Sequence, residues 1–217
     1  TAARLSGKTG LVLTLQNGMG NADTLARSLS ADRVIAGTTS HGATFLGPGA
    51  IRHAGSGDTV IGPWSATGAT GAEWVAGVFN RAGITTRVVS DVHTLLWAKL
   101  FINVGINAVT ALTGIQNGQL LDLEQTRQIS REAVQEAVAV ARARGIAIDG
   151  DPVETVFQVA GATGPNRSSM GQDVDNGRPT EINAINGFIV RTAKTVGVPV
   201  PVNRTLTALM ETLQAHY

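Results

Sequence analysis

A chain of 217 residues with a formal net charge of +1 is long enough for one large or two small domains, and it carries no electrostatic case for nucleic acid or a membrane surface. It contains no cysteine, which excludes disulfides, thiolate metal sites and cysteine nucleophiles and is compatible with a cytoplasmic location. Charged residues make up 15%, against about a quarter in typical domains, which points to extensive burial and leaves room for a homodimer interface.

In chain order, Gly10–Leu15 (GLVLTL) is apolar and branched enough for the buried strand of a parallel sheet. It runs into Gln16-Asn17-Gly18-Met19-Gly20 and then a helical stretch from Asn21 to Leu29. A strand, a Gly-rich turn and a helix form a common ligand position in α/β sheets. Asn-Gly also suits a hairpin, but here a helix follows rather than a strand. Between Arg33 and Pro63 three β patterns, VIAGTTSHGATFL, AIRHAG and DTVIGP, are punctuated by glycines and predict a meander continuing the same sheet. A helix over Thr70–Ala82 and a strand over Thr85–Val89 complete a first domain, residues 1–90. No complete dinucleotide fingerprint or Walker pattern is found, and His41, His53, His93 and His216 lack metal-ligand spacing.

From Ser90-Asp91 onward the pattern is wholly helical, a second domain over residues 91–217. Its first segment, His93 to Gly114, is apolar on nearly every side, as a buried helix is. The uncharged run from Leu100 to Leu121 has the length of a bilayer span, but its asparagines, glutamines and threonines favour a soluble core helix. Further helices are expected over Leu121–Arg144, Pro152–Ala162, Glu181–Val196 and Asn203–Ala215, with a polar loop over Gly161–Thr180.

Three polar residues are set into the apolar helix. Lys99, Asn103 and Asn107 stand at i, i+4 and i+8, a single row of about 12 Å. One reading lets Lys99 snorkel to an edge while the amides bridge neighbouring helices. The other is a site with one ammonium and two amides. Burial disfavours the charged lysine and lowers its pKa toward the range of proton transfer, and the amides can fix a hydroxyl, carbonyl or carboxylate. In the polar loop, Ser168, Ser169 or Asp173 can cap a turn of helix. Glu181 either complements a helix dipole or serves as the carboxylate partner of such a site.

Six segments, in order along nearly the whole chain, resemble the ketopantoate reductase family. They are LQNGMGN at Leu15–Asn21, GTTSHGA at Gly37–Ala43, RHAGSG with IGP over Arg52–Pro63, WAKLFINVGINAVTALTGIQNGQLL at Trp97–Leu121, SSMGQDVDNGRPTEINAINGFIV at Ser168–Val190, and VGVPVPVN at Val196–Asn203. The resemblance implies an α/β plus all-α protein. A Rossmann-like sheet domain is followed by a helical domain like the C-terminal domain of 6-phosphogluconate dehydrogenase. It further implies an NADPH-dependent reductase of a small 2-oxo acid, 2-dehydropantoate. The lysine matching Lys99 donates the proton. Asn17, Asn103, Asn107, Asn117 and Ser169 hold the substrate, and Asn17, Ala43 and Glu181 touch the cofactor. No metal, nucleic acid or membrane partner is implied. Residue pattern alone marks Lys99, Asn103 and Asn107 as site candidates; Asn117, Ala43 and Ser169 come only from the resemblance.

The family's opening strand and GxGxxG turn are not found in this sequence, so the sheet domain is expected to be the C-terminal remainder of a Rossmann-like one. Two alternatives remain: a related reductase acting on a different 2-oxo acid, and a non-catalytic helical interaction domain in which Lys99 is structural.

Overall fold

The computed structural model describes residues 2–217, which divide into two units: residues 2–16 with Gly20–Leu96, and Asn17–Met19 with Trp97–Tyr217.

The first unit opens with a helical turn, α1 (Ala2–Leu5), and is built on a four-stranded sheet. Its strands are β1 (Val12–Thr14), β2 (Val34–Thr39), β5 (Thr59–Pro63) and β6 (Thr86–Val88), in the order β1-β2-β5-β6. β1 runs parallel to β2, β2 antiparallel to β5, and β5 parallel to β6. Side chains alternate across the sheet with period two, and both faces are apolar. On one face Ile35 and Ile61, with Leu13 and Val88, pack against Ala72, Val75 and Ala76 of helix α3 (Ala69–Arg81). On the other, Val34 and Ala36 pack with Ala22 and Leu25 of helix α2 (Asn21–Ser28) and with Val92, Leu95 and Leu96. Ile35, Ile61 and Val34 are fully buried, each worth about 1.5–3 kcal/mol relative to exposure.

The expected meander is corrected here. β3 (Gly42–Gly47) and β4 (Ala50–Gly55) pair only with each other, as a separate antiparallel ribbon between β2 and β5. Every residue of β5 is buried, whereas Leu46 and Ile51 of the ribbon are 53% and 73% exposed. A ribbon with so little buried surface has no sheet face to join, and β2 and β5 pair directly across its base.

The second unit is helical. The chain enters it on α4 (Val92–Thr113), whose residues from Trp97 on belong to this unit. By length and composition α4 could cross a membrane, yet 67% of its most apolar window is buried within the protein. Around it lie α5 (Glu124–Ala143), α6 (Pro152–Ala162), α7 (Ser169–Asp175), α8 (Asn186–Val196) and α9 (Pro201–Gln214). Gly105 lets α5 and α6 approach α4 closely. A Cβ there would sit 2.7 Å from Val156 Cγ1 and 2.8 Å from Val134 Cγ2. Helix starts are marked by local chemistry. Asp151 accepts the N–H groups of Val153 and Glu154 ahead of Pro152. The cap of α9 comes instead from α5, where Glu136 accepts from the N–H groups of Val202 and Asn203.

The helical unit departs from expectation in places, and α9 starts at Pro201 rather than Asn203. A 3-10 turn over Gly118–Leu121 precedes α5. The expected helix from Glu181 begins as a separate 3-10 turn, Ile182–Ala184, ended by the backbone of Ile185 (φ −106°, ψ −98°). The polar loop contains α7, a helix of seven residues hidden by its Ser, Gly and Asp content.

Candidate functional site

Every expected site residue except Ala43 falls in the helical unit; Ala43 is an exposed residue of β3. Lys99, Asn103 and Asn107 lie along α4, the two asparagines only 7% and 6% exposed. Neither Asn103 Nδ2 nor Asn107 Nδ2 has a hydrogen-bond partner. Buried amides bridging neighbouring helices would be paired, so the bridging reading loses its basis for these two donors. Lys99 is half-buried, and desolvation alone holds its pKa below the ordinary lysine value.

Asn117 precedes the 3-10 turn and is also buried, at 8% exposure. Its Nδ2 donates to Thr163 Oγ1 at 3.0 Å, while that hydroxyl donates to Val159 O at 2.7 Å. Because the threonine proton is already engaged, Thr163 can only accept from Asn117, which fixes the amide orientation and leaves Oδ1 as the unpartnered atom. These residues thus leave two orphaned donors on α4 and one orphaned acceptor on Asn117, groups that can pair with a carboxylate or carbonyl and with a hydroxyl.

Ser168 and Ser169 separate by role. Ser168 is buried and caps α7, accepting from Gly171 N at 3.1 Å, with Thr110 Oγ1 at 2.8 Å. Ser169, the first residue of α7, is exposed.

In the same unit, Asn17 Nδ2 donates to Glu181 Oε2 at 3.1 Å, across 164 residues of sequence. Met19 N donates to Ala184 O at 2.8 Å, so residues 17–19 are fastened to the 3-10 turn after Glu181. Gly18 is required between them. Its φ is +76°, and a Cβ would lie 2.5 Å from Ala184 O. Glu181 is therefore not merely a dipole complement. Desolvation raises its pKa, the Asn17 bond opposes that, and the nearby charge of Asp173 adds to it. A joined amide and carboxylate can serve both a carboxamide and a ribose hydroxyl, so these residues fit the nicotinamide end of a dinucleotide. Among the described residues no group of three His, Asp or Glu could hold a metal ion.

Sequence reasoning missed Thr163, which orients Asn117, and Arg167. Arg167 Nη1 donates to Thr110 O and Ile115 O, while Nε and Nη2 grip Asp175. No local pattern marks either; both act through contacts distant in sequence.

Two family profiles match the chain, one described as "Ketopantoate reductase PanE/ApbA" over residues 1–66 and one as "Ketopantoate reductase PanE/ApbA C terminal" over residues 91–214. A 2-dehydropantoate 2-reductase of Halobacterium salinarum is 41% identical over 99% of this chain and 72% of its own length. One of Vibrio cholerae is 37% identical over 94% of this chain and 69% of its own length. Among solved structures, a PanE/ApbA family ketopantoate reductase of Ralstonia eutropha superposes with a TM-score of 0.87 at 36% identity, over 97% of this chain and 68% of that one. A ternary structure of D-mandelate dehydrogenase with NADH and anilino(oxo)acetate gives 0.91 at 25% identity, over 99% and 71%.

Proposed function

The chain belongs to the ketopantoate reductase family, and from that premise we propose that it reduces the 2-oxo group of 2-dehydropantoate to the alcohol of pantoate with NADPH, in pantothenate and coenzyme A biosynthesis. The observation that carries the reading is the row on α4: a half-buried lysine followed by two buried amides whose N–H groups have no partner. Unpaired buried donors cost free energy in the ligand-free protein and are repaid by a ligand that accepts from them.

Ketone reduction adds hydride at carbon and a proton at oxygen; the nicotinamide, when bound, supplies the hydride. Lys99 supplies the proton. Its depressed pKa makes the ammonium a stronger acid, and as oxygen gains negative charge the ammonium stabilises it before transferring the proton. Asn103 and Asn107 donate to the substrate's oxygens, Asn117 Oδ1 accepts from its hydroxyl, and Ser169 contributes a further hydroxyl. Asn17 stands where substrate and cofactor meet, and Glu181 and Ala43 touch the cofactor. A cytoplasmic homodimer is part of the same reading.

The D-mandelate dehydrogenase likeness supports a second reading, a related NAD(P)H-dependent reductase with a different 2-oxo acid. Cofactor oxidation followed by absorbance, with protein purified from the full reading frame, separates the two. 2-Dehydropantoate is expected to exceed 2-oxoisovalerate, the same skeleton without the hydroxymethyl group, by roughly 10²-fold or more in kcat/KM, because the latter leaves the hydroxyl's partner unpaired. Preference for an aryl 2-oxo acid would favour the second reading. Absence of oxidation with every 2-oxo acid and both cofactors would overturn both.

A further inference from the structure

Arg167 lies where three segments of the candidate site converge. Its Nη1 donates to Thr110 O at 2.6 Å and Ile115 O at 2.9 Å. α4 ends at Thr113, followed by Gly114 with φ +76°, so these carbonyls lie at the C-terminal end of the helix, where acceptors lack intrahelical partners and a cation is favoured. The opposite edge of the guanidinium, Nε and Nη2, grips the Asp175 carboxylate of α7 at 2.8 and 2.9 Å. That fork holds the Asp175 carboxyl below its usual range and raises the arginine further. The side chain is 18% exposed. Gly171 provides a second, independent observation. A Cβ there would lie 2.6 Å from Arg167 Cζ and 2.7 Å from Nη1, so the guanidinium rests directly on the backbone of α7.

The segments joined in this way each bear a substrate residue of the proposed reaction. The end of α4 carries Asn107, and α7 begins with Ser169. The stretch before Arg167 secures Asn117, through Asn117 N to Asn166 O and Gly118 N to Gly164 O, both at 3.0 Å, and through Thr163. We infer that Arg167 is a positioning residue for substrate binding, a clamp that sets Ser169 and Asn117 against the amide row of α4 by joining the helix end to α7. The inference rests on the reductase reading for its substrate, but not for its geometry. Lysine cannot replace the clamp, since donors radiating from one nitrogen cannot fork a carboxylate and serve two carbonyls behind it.

Arg167→Lys is therefore expected to raise KM for 2-dehydropantoate about tenfold, a step of about 1.4 kcal/mol, with kcat changed less than twofold. Lys99 lies three helical turns from Thr110, about 16 Å along the axis, which is why kcat is spared. In a double-mutant cycle with Ser169→Ala, the KM effect of the double variant should be much smaller than the product of the two single effects. Gly171→Ala, which displaces the guanidinium without altering it, should reproduce the KM effect if Arg167→Lys does not fold. In the ligand-free protein, amide exchange should quicken at least tenfold at Asn117 in either variant, and at Gly171 in Arg167→Lys, while α5 is unchanged. Unchanged exchange overturns the clamp whatever the enzyme turns over. Fully multiplicative KM effects, or a lower Tm with unaltered KM, overturn its link to substrate. A wild-type protein inactive on 2-dehydropantoate, yet with the exchange signature intact, defeats the functional reading alone.

Discussion

Replacing Asn107 by leucine should make the protein more stable and worse at binding its substrate. Asn107 is 6% exposed and its Nδ2 is unpaired, so the ligand-free protein bears the desolvation of an N–H with no partner, about 1–3 kcal/mol. Leucine has the same γ-branched shape but is larger, its extra bulk taken up in the space left for substrate; it has no polar atom to desolvate and is the better helix former by a few tenths of a kcal/mol. Asn107→Leu should therefore gain about 1 kcal/mol in stability, a few degrees in Tm for a chain of this length. The same change removes a donor from the substrate and leaves a substrate oxygen facing methyl groups, raising KM by roughly 5- to 150-fold. Thermal unfolding without ligand and initial rates at varied 2-dehydropantoate give the two numbers from one preparation. A structural amide yields the opposite signs: a lower Tm with KM unchanged would refute the reasoning. Asn103→Leu should behave alike.

Lys99→Ala should lower kcat by about 10²–10⁴ with little change in KM, and near-normal turnover at saturating substrate would remove Lys99 as the acid. Because the acid acts in its protonated form and burial lowers its pKa, wild-type kcat should fall as pH rises through a value below the ordinary lysine range; a profile flat into that range would contradict this. Glu181 shifts the other way. Its raised pKa means the folded protein holds that proton more tightly than the unfolded chain, so the associated stability is present in acid and lost as pH rises through the folded value. Glu181→Gln should accordingly raise Tm at pH 8 but not at pH 4, and equal shifts at both would exclude titration as the cause. Gly105→Ala should cost about 1–3 kcal/mol in chemical denaturation, because its Cβ meets the short, stiff side chains of Val134 and Val156; an unchanged midpoint would mean that α4 and its neighbours can separate freely.

Periodicity made the long elements legible. α3 and α6 lie within a residue of expectation, and α4 is as buried as its all-round apolar pattern implies. The i, i+4, i+8 spacing likewise located the amide row, since helix geometry alone sets it. What remained hidden depended on partners far away in sequence. The β3–β4 ribbon has strand composition like its neighbours, and only the direct pairing of β2 with β5 excludes it from the sheet. α7 is a poor helix by propensity, held by the Ser168 cap and by Asp175 in the grip of Arg167. Asn17 carries no local signal for Glu181, and Asn117 gains its fixed orientation only from Thr163.

The fastening of residues 17–19 to the turn after Glu181 bears on the order in which the protein is made. At about 5–20 residues per second, a ribosome needs roughly 10–30 s to pass from Asn17 to Glu181, 164 residues later. Closing that span in an unstructured chain would cost roughly 2.5 kcal/mol more than closing ten residues, so the connection forms late, once intervening helices have shortened the distance. The amide row needs only α4 and is complete early. Asn17 and Gly18 meanwhile leave the ribosome long before Ala184 does. A nascent chain stalled before Glu181 would thus carry Lys99, Asn103 and Asn107 on α4, with Asn17 still lacking its carboxylate.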